Sequence, residues 1–105
     1  MKGKSLDLLV KVLEIKGRCP VYRVGSTFRI AEGFKLLTDE PLCMHSLASL
    51  LPYYVALSRG ISPLQLGLTN EGESVAYLQC LDPCEYTGGG TVIFGVFLER
   101  INESS

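Results

Sequence analysis

The spacing of apolar residues changes along this chain, and the changes mark out its elements. From Leu6 to Ile15 nearly every position is apolar, with Leu8, Val10 and Val12 on one face of an extended strand and Leu9, Leu13 and Ile15 on the other. Such a strand is expected to be covered on both faces. Gly17-Arg18-Cys19-Pro20 ends it, and the Val24-Gly25-Ser26 turn leads to a short second strand, Thr27 to Ala31. From Thr38 to Arg59 the period lengthens. Cys43, Leu47, Leu50, Leu51, Tyr54 and Leu57 recur at helical steps, which predicts one main helix capped by Thr38 or Asp39 and stopped by Gly60. Pro52 should kink that helix or break it near Leu51. Ile61 to Gly72 reads as a loop, with one short turn at Pro63 to Leu66.

Alternation returns at Ser74 to Cys80 and at Thr91 to Ile101, where Val92, Phe94, Val96 and Leu98 share a face opposite Ile93 and Phe97. The polar end, Asn102 to Ser105, is expected to fray. The expected fold is a single α+β domain of order β-β-α-β-β, a mostly antiparallel sheet covered by one main helix. One helix cannot cover two sheet faces, so a partner subunit is expected on the other.

Composition strengthens that last expectation. Hydrophobic residues are 47% of the 105 and charged residues 20%, with a mean hydropathy of +0.24. A chain this small has a large surface for its volume, so surplus apolar residues point to a homo-oligomer. Charge is divided unevenly. Residues 1–35 carry eight basic side chains against three acidic ones, a net +5, and residues 36–105 carry two against eight, a net −6. The basic residues are scattered singly, without aromatic interleaving, which argues against nucleic acid and for pairing between basic and acidic strands. Charges at Asp7 and Lys11 interrupt the first apolar run, and no stretch approaches the roughly 20 apolar residues of a membrane span. A cytoplasmic protein with reduced thiols is expected.

Four cysteines and the one histidine are the residues best equipped for chemistry: Cys19, Cys43, His45, Cys80 and Cys84. Four cysteines allow three disulfide pairings, but a reducing compartment favours free thiols or a zinc or iron site. Cys43 and His45 lie two apart, and in a regular helix such residues point about 200° from each other, so one metal could join them only at a distorted helix start. Cys43 also fits the apolar stripe as a small buried side chain, with His45 at the surface. Cys80 and Cys84, with three residues between them, miss the two-residue redox spacing but fall within the looser zinc range. Tyr86-Thr87-Gly88-Gly89-Gly90-Thr91 lacks the Lys and the following helix of a P-loop, so it reads as a mobile turn or as a cradle for a small anionic ligand.

Five blocks in order resemble an uncharacterised family of small prokaryotic proteins, many of them archaeal. They are Cys19 to Gly25, Cys43 to Leu47, Leu50 to Leu57, Gln79 to Pro83 and Tyr86 to Val92. The resemblance spans roughly residues 6–101. It implies a compact cytoplasmic domain of unknown function and hands over no catalytic residue. It matches the Cys-Pro, Cys-x-His and Cys-x-Asp-Pro of the family, while Cys84 stands where glycine is more usual. That leaves Cys19, Cys43, His45 and Cys80 as the set of metal ligands to examine. Two functional readings follow: a non-enzymatic, self-associating module stabilised by a metal or thiol cluster, and a small thiol-based redox or small-molecule enzyme using Cys43 or Cys80.

Overall fold

The computed structural model describes residues 6–72 and 74–99. Five strands form one antiparallel sheet: β1 (Asp7–Gly17), β2 (Thr27–Ala31), β3 (Lys35–Leu37), β4 (Val75–Gln79) and β5 (Gly90–Glu99), in the spatial order β3-β2-β1-β5-β4. Two short helices, α1 (Met44–Leu50) and α2 (Tyr54–Ser58), lie between β3 and β4 in the chain. The fold is therefore α+β with an antiparallel sheet, but its order is not the expected β-β-α-β-β. A third strand precedes the helices, and the single main helix is two. The last strand's expected continuation to Ile101 and the polar end from Asn102 lie outside the described residues.

The alternation in β1 and β5 decides which side of the sheet is the core. Leu8, Val10 and Val12 of β1, with Val92, Phe94 and Val96 of β5, are buried together with Phe28, Ile30, Leu50, Leu57 and Ala76. Phe94 sits at the centre, edge-on to Tyr22 at 5.6 Å and to Phe28 at 6.4 Å between ring centres. Ile15 departs from the expected assignment. The register of β1 against β5 shifts between Val12 and Glu14, a β-bulge that turns Ile15 back to the core face beside Val92. Leu13 is left on the outer face, folded over the place where Gly95 has no side chain.

The helical segment begins later than expected. Thr38 does not cap a helix; its hydroxyl bonds Glu40 through both N–H and carbonyl. Leu36 and Leu37 are drawn into the sheet opposite Ile30 and Arg29. The N-cap is Cys43, which has no side-chain capping bond. Pro52 lacks an N–H and would crowd the carbonyl four residues back, so α1 ends at Leu50 and the chain restarts at Tyr54. Gly60 closes α2 as predicted, at φ +91°. Its N–H bonds Leu57 O and that of Ile61 bonds Ala56 O, the two bonds of a Schellman motif.

Candidate functional site

The start of α1 is held by a tyrosine. Tyr22, buried in the loop between β1 and β2, accepts the Cys43 N–H on its hydroxyl at 3.0 Å and lies 2.7 Å from Ser46 Oγ. Ser46 gives its own proton to Cys43 O at 2.8 Å, so the Tyr22 hydroxyl donates to Ser46. These bonds satisfy an N–H at a helix start that the Cys43 side chain cannot cap. At the other end of the same residue, Tyr22 N–H points at Cys19 Sγ, 3.3 Å away. Cys19 and Cys43 are thus tied to one residue, and both pack against the core. His45 is exposed on the outer side of α1, with Nδ1 3.9 Å from Cys43 Sγ, at the outer limit of a sulfur hydrogen bond.

Cys80 follows β4 and is 5% exposed, a member of the core. Its N–H bonds Val92 O at 2.8 Å. Cys84 lies in the β4–β5 loop with φ +28°, and its thiol faces Lys16 O at 3.5 Å. Asp82 organises this loop. Its carboxylate accepts the Cys84 N–H at 3.0 Å and the Thr87 hydroxyl, and its carbonyl accepts the Thr91 hydroxyl. Gly89 and Gly90 are therefore packed into the fold, while Gly88 lies exposed in the turn at φ +75° with open space beside it. A Cβ on Gly89 would lie 2.4 Å from the Asp82 carboxylate, and one on Gly90 would lie 2.6 Å from the Arg18 backbone. Sequence reasoning missed this function of Asp82, and it missed Tyr22 and Ser46.

A third feature lies on the helix side of the sheet edge. Ile30, Phe34, Leu36, Leu47, Leu51 and Tyr54 line an open apolar groove between the β2–β3 turn and the helices. Phe34 is 69% exposed, Leu51 62% and Leu36 45%. Leu51 was expected on the buried stripe with Leu47 and Leu50. The break at Pro52 ends the helical period there and leaves it facing solvent.

Of the ligand set drawn from the sequence, the structure brings Cys43 and His45 into contact and links Cys19 to Cys43 through Tyr22. Cys80 lies in the core itself. Among the described residues, no three His, Cys, Asp or Glu side chains are grouped as a metal would require. All four cysteines are free thiols. Among the described residues, no helix is long and apolar enough to cross a membrane. No family model, curated protein or solved structure matches this chain.

Proposed function

We propose that this chain is a small non-enzymatic module that works in the cytoplasm by associating with itself, with its thiols serving as packing groups. The observation that carries this reading is the apolar groove at the β3 end of the sheet. Its most exposed members, Phe34 and Leu51, are large side chains on separate elements that converge on one surface. Surface leucines scattered singly are ordinary, but apolar side chains gathered in a groove favour a partner. A second copy is the partner that needs nothing beyond this sequence. The thiols fit the reading too, since Cys19, Cys43 and Cys80 all pack in or against the core, where free cysteine behaves as a small hydrophobe. Light scattering on the purified chain should give a multiple of 11.5 kDa. A monomer at micromolar concentrations would overturn the reading.

One observation favours a second reading, a thiol enzyme acting through Cys43. The 3.9 Å approach of His45 gives that sulfur an adjacent base, the pairing that nucleophilic cysteines use. Cys80 has no comparable access. Alkylation by iodoacetamide separates the readings: a catalytic Cys43 reacts faster than Cys19 and slows when His45 is replaced by Ala, whereas a packing thiol does neither.

A further inference from the structure

The two edges of the sheet are not alike. At one edge, Tyr77 of β4 donates its N–H to Leu68 O at 2.8 Å, so the segment before β4 already occupies part of that edge. At the other, β3 pairs with β2 alone, and among the described residues no backbone hydrogen bond reaches its outer side. An open strand edge is a template for another strand. Head-to-tail stacking of β3 on β4 would meet an occupied edge, and with it growth into open filaments is impeded. What remains is β3 against β3, an isologous contact that closes after two copies.

We propose that two copies of this chain pair β3 with β3 in antiparallel fashion about a two-fold axis, forming one continuous sheet across both. The proposal rests on the self-association reading above and adds its surface and symmetry. Side-chain placement supports it. Leu36 lies opposite Ile30 on the groove side of the sheet, so antiparallel pairing sets Leu36 beside its counterpart and joins the two apolar grooves. Charge supports it through Lys35. Each β3 begins at Lys35 and leads out to Asp39 and Glu40; with Leu36 beside its counterpart, Lys35 stands opposite Leu37 of the other copy and diagonal to its Asp39, twice, while Glu32 falls opposite Glu40. In the single chain Lys35 bonds Glu32 at 3.1 Å, with both side chains about half exposed, and its ammonium lies 5.9 Å over the Phe34 ring. Those contacts leave the ammonium within reach of a second carboxylate.

A charge swap tests the pairing without touching the core, because Lys35 and Asp39 are both exposed. In Lys35→Glu the diagonal pairs set acid against acid, and in Asp39→Lys they set base against base. Sedimentation equilibrium should find each variant's dimer weakened by about tenfold or more, the scale of one reversed surface pair at each of two symmetric ends. An equimolar mixture of the two variants should regain a dimer as tight as the wild type, since both diagonal pairs are complementary again. Circular dichroism matching the wild type establishes that the variants are folded. A dimeric wild type whose variants stay equally dimeric overturns the β3 pairing and leaves self-association standing through another surface. A monomeric wild type overturns both, and would leave the edge for an extended strand of a different protein. A wild-type assembly larger than a dimer overturns the closed pair.

Discussion

Tyr22 shows how one residue stands in for a missing cap. Helix α1 starts at a cysteine, whose side chain accepts no bond from its first turn, and the Tyr22 hydroxyl takes the Cys43 N–H while donating to Ser46. Replacing Tyr22 with Phe keeps the ring against Phe94 and strands the Cys43 N–H in a half-buried site. The expected cost is about 1–3 kcal/mol, the scale of a buried donor left without a partner. Urea unfolding measures it, and a loss under about 0.5 kcal/mol would refute the capping account. Two glycines of β5 make a second comparison. In Gly90→Ala the new carbon meets backbone at Arg18 and Cys19, which cannot swing aside, so a loss at the upper end of the roughly 1–3 kcal/mol for overpacking is expected. In Gly95→Ala it meets the ends of the Leu13 and Phe97 side chains, which can, and the loss should be under about 1 kcal/mol. Equal losses in the two variants would contradict this. At this scale the sequence was legible in part. Cysteine and histidine are rare enough to single out by type alone. Tyr22 and Asp82 act through partners 21 to 24 and up to nine residues away, and no local period marks them.

Among the elements, the long strands were readable because β1 and β5 carry long runs rich in apolar residues that divide between two strand faces, and α2 because Gly60 ends it by a local rule. The strand β3 was not readable. Three residues contain too little alternation to reveal a period, and their strand state comes from pairing with β2. The turn before β3 carries its own strain. Glu32 and Gly33 both adopt positive φ, +59° and +86°, while Phe34 N–H bonds Ala31 O across them. Glycine takes such angles freely and glutamate does not. Asparagine tolerates this region better, so Glu32→Asn should relieve more strain than it loses with the exposed Lys35 contact. The expected gain is about 0.5 kcal/mol, or roughly 2–4 °C in melting temperature. A lower melting temperature would mean that the ion pair outweighs the turn.

At the scale of the molecule, the expectation of an uncovered apolar surface came from composition and from one helix facing a two-faced sheet. The structure gathers exposed large side chains, Phe34, Leu51 and Leu36, at the open edge and its groove, while Tyr86 and Met44, which are more exposed still, stand outside that groove. The broad outer face of the sheet is only half-buried at Leu9, Leu13, Ile93 and Phe97, and the Arg29–Glu99 ion pair crosses β1 at its upper end. That ion pair links the first, basic third of the chain to the later, acidic part, the strand-to-strand pairing that the uneven charge anticipated. Where the apolar surplus gathers could not be foreseen, because it depends on β3 and on the break at Pro52. The proposed pair has a thermodynamic consequence that needs no variant. A dimer that forms only between folded copies draws unfolded chains back by mass action, so its melting temperature rises with protein concentration. Calorimetry on the wild type over a hundredfold range of concentration should therefore find a steady rise. In the Lys35→Glu variant the same range should find a flatter dependence, with a melting temperature at the dilute end lowered only slightly by loss of the exposed Lys35–Glu32 contact. A melting temperature independent of concentration in the wild type would mean that the copies do not stabilise each other, and the groove at the β3 edge would then need a different occupant.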